Sequence, residues 1–578
     1  MKLDLSHVAF SMAGSYLAIS DVPPREGTAD PAGLFLRIIR GSAENRFVGR
    51  LYPVIGGKEA AYTYSASPSE LILHTHSGEI RLCFADSETI LAQGDPGTVL
   101  CLDFKARNPG FSHILDVSCP DSPKRYMAVS FPNSSSFLVW TQQGQAAPDQ
   151  VWPVADATRS AIAAARSAIT FEGGEAGFLA AIAEVHRSWN GHCRTFEYAA
   201  SRKSAEEAFF SFAGKMPSVP GRFAGAAQLS AYVMWAGYVK KSGFLLRDSM
   251  LMSKNWMCNV WSWDHCFNAM ALAYHCPELA WDQLMMMFDF QDVTGALPDS
   301  VNDSKATWSF CKPPVHGWAL MRMMEVMDLT AAQMAEAYEK LALWTEWWLN
   351  YRDHNGNGLC EYHHGNDSGW DNATVFSGTP PIETPDLQAL LILQMEALEK
   401  LASLLGRRDN AARWKARAEK MMGGMLAHCF ENGKPRATQY GGEPVPNQSL
   451  LMYLPVVLGK RLPKDIRDSL VSVLKSDTFL TAHGYATEAL KSPDYAPDSY
   501  WRGPIWAPNT LLLLDGLWRL GETGLVRQVA EAFSLLVQKS GCAENFDPLT
   551  GEGLRDRAYT WTASVFFVMA HEFLRQDA

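Results

Sequence analysis

Twenty residues from Asp353 to Asn372, DHNGNGLCEYHHGNDSGWDN, crowd carboxylates, amides, histidines and a tryptophan into a stretch with almost nothing aliphatic. The first half sets oxygen donors at alternate positions: Asp353, Asn355, Asn357, the Leu359 carbonyl and Glu361. That is the odd-position spacing of a calcium loop, with Gly358 at its sixth position but His364 where an EF-hand carries its acidic twelfth residue. A structural Ca2+ is one expectation; a Gly/Asn turn closed by Asx hydrogen bonds, without an ion, is the other. The His363-His364 pair suggests a metal, yet no third ligand stands at zinc spacing.

The second half differs, because a surface turn has no use for Trp370. The same mixture recurs in SKNWMCNVWSWDHCF (253–267), GALPDSVND (295–303), CKPPVHGW (311–318), HGYATEALKSPDYAPDSYWRGPIW (483–506) and CAENFDPLTGEG (542–553). Tryptophan left in water forfeits its burial free energy, so Trp beside Asp, Arg and Glu in loop after loop describes a cleft. Aromatic faces there would take the apolar face of a sugar ring, and charged edges its hydroxyls.

These loops need a frame. The first 150 residues alternate apolar and polar positions in short runs, such as ELILHTHSGEIRLCFA across a HSGE turn, and predict an antiparallel β-sandwich over 1–155. DATRSAIAAARSAITF and GFLAAIAEVHRSW have a helical period and predict a helical linker over 156–203. From 204 to 578 apolar residues recur at three- and four-residue spacing in about twelve segments separated by the polar-aromatic loops. Twelve helices in alternating pairs suit an all-α (α/α)6 toroid, six inner and six outer, though another large helical domain has the same periodicity.

Bulk composition excludes several classes. At 578 residues, 47% hydrophobic and 20% charged, the chain can bury a large core. A net charge of −11 with scattered Lys and Arg leaves no basic stripe for nucleic acid. No run approaches the roughly 20 apolar residues of a membrane span, and the first residues lack the apolar core of a signal peptide. Eleven dispersed cysteines without a C-x-x-C pair suit reduced thiols in a cytoplasmic protein.

GNDSGWDN, WSWDHCFNA, GYATE, YWRGPIWAPN and ENFDPLTGEG, in that family's order of loops, resemble the signature segments of glycoside hydrolase family 63-type enzymes. That group includes processing α-glucosidase relatives and the bacterial mannosylglycerate and glucosylglycerate hydrolases. The resemblance covers about Ser253 to Gly553 and implies an (α/α)6 barrel preceded by a β-sandwich, with inverting hydrolysis of an α-glycosidic bond. Inversion sets a carboxylic acid and a carboxylate base about 6.5–9.5 Å apart, leaving room for water. By motif, Asp371 is the implied acid and Glu544 the implied base, with Trp370 and Trp506 available to desolvate the acid. Trp263 and Asp264 resemble the pair that grips the sugar, Trp501 and Arg502 a subsite wall and a bidentate anchor, and Asn372 completes the acid motif. Where the family continues with a Ser-Pro-like pair, this chain has Ala373-Thr374.

Taken alone, Asp371 reads as a helix cap or turn carboxylate, and Arg502 as a structural arginine paired with Asp498. Glu488 and Glu552 are rival bases. The leading expectation is an exo-acting α-glucosidase for a small α-glucoside: a disaccharide, an oligosaccharide or a glycosylglycerate-like compound, with no cofactor for the chemistry. The alternatives are a disaccharide phosphorylase on the same scaffold and a non-catalytic sugar-binding protein. Sugar, aglycone and oligomeric state are not legible.

Overall fold

The computed structural model describes residues 1–28, 30–41, 47–104, 107, 112–119, 123–130, 133–149, 168–439 and 442–575. They form two compact units. Met1–Gly214 with Trp235–Lys240 and Lys254–Cys258 make the first, and Lys215–Met234, Lys241–Ser253 and Asn259–Ala578 the second.

The first unit is built on two antiparallel sheets. One runs Leu17–Val22, Gly33–Ile38, Phe47–Ile55, Val99–Asp103, Ala168–Glu172 and Gln145–Pro148, with Lys58–Glu59 paired to Phe47–Ile55. The other runs Ser112–Asp116, Arg125–Ser130, Ser135–Gln143, Phe178–Val185, Thr89–Gly94, Gly78–Asp86, Leu71–Thr75 and Thr63–Ala66. The expected hairpin closes with Thr75 opposite Gly78, whose φ of +140° suits glycine. Lys254, fully buried, donates to Ser11 Oγ and to the Met12, Ser15 and Tyr238 carbonyls, which ties its short segment into this unit.

The helical linker expected over 156–203 is corrected here. Ala168–Glu172 and Phe178–Val185 are strands, and FLAAIAEV pairs on both edges, with Ser135–Gln143 and Thr89–Gly94. Its alanines favour helix intrinsically, but pairing on both sides and burial of alternate residues override propensity. Residues 156–167 of the expected helix lie outside the described residues. The helix Tyr198–Ala213 lays Tyr198 on Cys83, Leu91, Leu138 and Trp140 of the second sheet.

The second unit is helical. Asp264–Leu272 packs on His316–Met323, which packs on Pro385–Leu404, and Pro385–Leu404 packs in turn on Leu450–Arg461. Leu450–Arg461 packs on Ala507–Arg519, which packs on Thr560–Phe573, and that helix returns to Asp264–Leu272. A further layer adds Pro277–Met285 on the first of these, Ala331–Tyr351 and Arg408–His428 on the third, Lys464–Leu474 on the fourth and Thr523–Ser540 on the last two. These match the apolar spacing read from sequence to within a few residues. Leu450–Arg461 departs: it is 3-10 in winding, holds Pro455, which lacks an N–H, and breaks at Gly459, whose φ of +57° is not helical. The Ala331 helix starts at a Thr330/Gln333 capping box, and the Pro385 and Ala507 helices carry proline in their first turn. Among the described residues, no helix is long and apolar enough to cross a membrane.

Candidate active site

Several of the polar-aromatic loops lead into helix N-termini of the six mutually packed segments. Asp264 opens its own helix, and Lys312 lies four residues before the His316 helix. Trp506 caps the Ala507 helix and Tyr559 the Thr560 helix. Helix starts present unpaired N–H groups and positive partial charge, a setting that favours carboxylates and polar ligands.

Tryptophans converge there. Trp501 stacks on Trp506 at 3.9 Å with a 7° interplanar angle and lies 4.7 Å from Trp370. Trp263 is 6.2 Å from Trp501 and meets Trp561 edge-on at 5.7 Å, while Trp506 is 5.6 Å from Trp561. Trp561 was not singled out from the sequence because it lies inside an apolar helix.

Asp371 sits beside this nest, partly open to solvent. Burial raises its carboxyl above the usual range; the Lys312 ammonium opposes that, and Asp299 adds to it. Lys312 is itself buried, 2.8 Å from Asp299 Oδ1, and donates to the Asn366 carbonyl at 2.7 Å. Asp264 is buried and held well above the usual carboxylate range, mainly by desolvation, and its Oδ2 has no hydrogen-bond partner among the described residues. A buried, unpaired carboxylate oxygen is expensive unless a ligand's hydroxyl satisfies it. Lys312 and Asp299 lie in segments the sequence marked as chemical, but their types alone did not say that they pair.

Glu544 comes from a different loop. It is buried and pushed up to about 7 by desolvation and by Asp556, while the Tyr500 hydroxyl and Arg555 pull it back. Its N–H donates to Asp556 O at 2.7 Å, and the Ile505–Phe546 bridge (2.8 and 2.9 Å) ties its loop to the YWRGPIW segment. Tyr500 is held at φ +54°, a left-handed angle that costs on the order of 1–3 kcal/mol in a residue with a Cβ. Arg555 lies 5.1 Å from the Tyr500 ring and donates to Asn545 Oδ1 at 2.8 Å.

The rival bases have other partners. Glu488 is fully buried, with Oε2 accepting from Thr374 Oγ1 at 2.8 Å and Oε1 from Ser492 Oγ at 2.7 Å. Glu552 is exposed and pairs with Lys539 at 2.8 Å. Two residues expected at the sugar also tie loops together. Asn372 accepts from the Trp501 N–H at 2.8 Å and donates to Ser499 O at 3.2 Å, so its amide locks two loops together. Arg502 donates to Asn372 O and Ser377 Oγ and stands 3.9 Å from Asp494, so it clamps the acid loop; Asp498 pairs with Arg555 instead.

The calcium loop is rearranged too. Asn355 and Asn357 turn their amides onto Glu383 Oε1, at 2.7 and 2.8 Å, and their oxygens accept from the N–H groups of Asn357 and Leu359. Asp353 Oδ2 accepts from Gly358 N–H at 3.0 Å, while its buried Oδ1 has no partner. Glu361 leaves the set and takes His354 and His363 on Oε1. Asp353, Asn355, Asn357 and Glu383 carry oxygens of the kind a hard cation takes. Glu383, distant in sequence, brings its carboxylate to the Asn355 and Asn357 amides. The His363-His364 pair splits: His363 joins His354 and Glu361, with ligand atoms within 4.8 Å of one another, and His364 turns to Phe310.

Comparison with known proteins follows this geometry. The family model for the mannosylglycerate hydrolase MGH1-like glycoside hydrolase domain matches residues 257–562. Mannosylglycerate hydrolase MGH1 of Selaginella moellendorffii is 22% identical over 384 residues, covering 53% of this chain and 78% of its own. The crystal structure of the GH63 mannosylglycerate hydrolase from Thermus thermophilus in complex with Tris and D-glycerate aligns with a TM-score of 0.52 at 20% identity. That alignment covers 59% of this chain and 98% of the other. A bacterial glucoamylase complexed with acarbose aligns with a TM-score of 0.59 at 12% identity over 99% of this chain and 95% of its own. At these identities the structural likenesses establish fold.

Proposed function

The chain belongs to the mannosylglycerate hydrolase MGH1-like glycoside hydrolase family and is a glycoside hydrolase, and from that premise we propose that it cleaves a small α-glucoside with inversion. Asp371 is the general acid and Glu544 the general base. The observation that carries this assignment is two carboxyl groups, both raised by burial, on separate loops around a tryptophan-walled site, with each rival carboxylate engaged elsewhere.

In this mechanism the sugar occupies the space beside Trp263 and Trp370, and one of its hydroxyls satisfies the unpaired Asp264 Oδ2. Asp371, whose protonated form desolvation favours, gives its proton to the glycosidic oxygen as the bond to the anomeric carbon breaks. Glu544, ionised and steadied by the Tyr500 hydroxyl, takes a proton from water attacking the opposite face. Asp371 ends as the carboxylate and Glu544 as the acid, and exchange with solvent restores both. Arg502 and Asn372 hold the acid loop against the Trp501 loop, so that the two carboxyl groups keep their separation.

The same reading takes the six mutually packed segments as the inner ring of an (α/α)6 barrel and the two sheets as a β-sandwich. It includes a structural Ca2+ held by Asp353, Asn355, Asn357, the Leu359 carbonyl and Glu383, remote from the reaction and bracing the base of the acid loop. A cytoplasmic location, expected from the dispersed cysteines, belongs to the same proposal and is tested by fractionation. Incubation with glucosylglycerate, mannosylglycerate, kojibiose, nigerose, isomaltose and trehalose in phosphate-free buffer tests the activity. Hydrolysis of one of these, lost in Asp371→Asn and Glu544→Gln, is the expected result. Turnover only with added phosphate would make the protein a phosphorylase.

A further inference from the structure

The surroundings of Asp371 carry information on the leaving group. The Phe310 and His364 rings stack with centroids 4.7 Å apart and planes 29° apart. Their segments are tied together next to the acid, since Cys311 N–H donates to Asp367 Oδ1 at 3.1 Å and Lys312 Nζ to Asn366 O. Gly365, next to His364, lies against the acid's own backbone, where a Cβ would stand 2.1 Å from the Asp371 carbonyl oxygen, which places this segment beside the acid. The stack is not core: His364 is exposed, Phe310 is half-buried and Trp308, two residues away, is 49% exposed. Aromatic surface left in water beside a catalytic loop marks a binding face.

His364 also has a fixed tautomer. Its Nδ1 accepts the Asn366 N–H at 3.1 Å, so the neutral ring carries its proton on Nε2 and offers a donor there. The cations nearby are already engaged: Lys312 by Asp299 and the Asn366 carbonyl, Arg502 by Asn372, Ser377 and Asp494. A carboxylate-bearing leaving group such as glycerate wants a cation with donors to give; a pyranose wants a flat apolar face and neutral hydrogen-bonding groups.

We infer that Phe310 and His364 wall the leaving-group subsite, and that the leaving group is itself a pyranose. The substrate is then an α-linked disaccharide or longer oligosaccharide, not the glycoside of a small acid. The sugar ring lies against the exposed aromatic surface, and His364 Nε2–H donates to one of its hydroxyls. This rests on the hydrolase reading above.

Wild type, Phe310→Ala, Phe310→Tyr and His364→Ala are assayed on α-glucosyl and α-mannosyl fluoride, which have no leaving-group sugar. The same enzymes are assayed on the disaccharides and glycosylglycerates named above, with thermal unfolding checked for each variant. In both alanine variants the ratio of kcat/KM on the best disaccharide to kcat/KM on the fluoride falls at least tenfold; Phe310→Tyr, which keeps the flat face, retains it. An unchanged ratio in both alanine variants overturns the proposal. So does wild-type enzyme that cleaves a fluoride but prefers glucosylglycerate or mannosylglycerate to every disaccharide. Failure to cleave either fluoride would instead overturn the hydrolase reading, and this inference with it.

Discussion

Replacing Glu488 separates a structural carboxylate from a catalytic one. It is fully buried, and each oxygen accepts one hydroxyl: Thr374, three residues past the proposed acid, and Ser492. Glu488→Ala strips both acceptors and strands two hydroxyls in the core. Hydrogen bonds to a charged group contribute about 1.5–3 kcal/mol each. Part of that is returned because the buried carboxylate, whose pKa desolvation raises, no longer has to be ionised. The net loss is about 3 kcal/mol. Glu488→Gln keeps the shape, and both hydroxyls can rotate to meet an amide, so about 1 kcal/mol goes. Thermal unfolding and steady-state kinetics on the same preparations read both effects. Glu488→Gln should unfold a few degrees lower and keep kcat within about tenfold, whereas Glu544→Gln should lose about 10²–10⁴ in kcat. A Glu488→Gln enzyme that keeps its melting temperature and loses a thousandfold or more in kcat would refute the reasoning and make Glu488 the base.

The remaining predictions concern charge and ions. Because the Glu544 carboxyl stands at about 7, kcat/KM should rise about tenfold per pH unit below 7 and then level. Tyr500→Phe removes a hydrogen bond that favours the ionised base, so the acidic limb should move to higher pH; an unmoved limb would show that Tyr500 does not touch the base. A carboxyl raised in the folded state from 4.5 to about 7 contributes stability that is present below pH 4.5 and lost as pH rises through 7. Glu544→Gln should therefore be more stable to unfolding than wild type at pH 8, by on the order of 3 kcal/mol, and the gap should close towards pH 5. Chelation of calcium should lower the melting temperature of wild type and leave Glu383→Ala unchanged; equal sensitivity in both would remove Glu383 from the ion site.

The helical half was legible because its apolar stripes obey one period over many residues, and Pro385 and Pro508 mark helix starts at the site. The loops were legible because tryptophan beside carboxylates has little other reason to be there. FLAAIAEV misled because a short apolar run rich in alanine carries no period that separates a central strand from a helix. Asn372 and Arg502 belong to the right motifs, but whether such a side chain meets a sugar or a carbonyl depends on the facing loop. Glu383, Lys312 and the Phe310–His364 stack depend on pairings between segments distant in the chain, which local spacing cannot express.

The central claim, a displacement by water between Asp371 and Glu544, is tested most directly by the anomeric configuration of the first product. Proton NMR during the first minutes of hydrolysis of the substrate or of α-glucosyl fluoride, without phosphate, should show the β-anomer of the released sugar, with the α-anomer growing only as mutarotation proceeds. Early α-anomer would mean retention, which needs a covalent intermediate and a nucleophilic carboxylate, and would contradict the roles given to both residues.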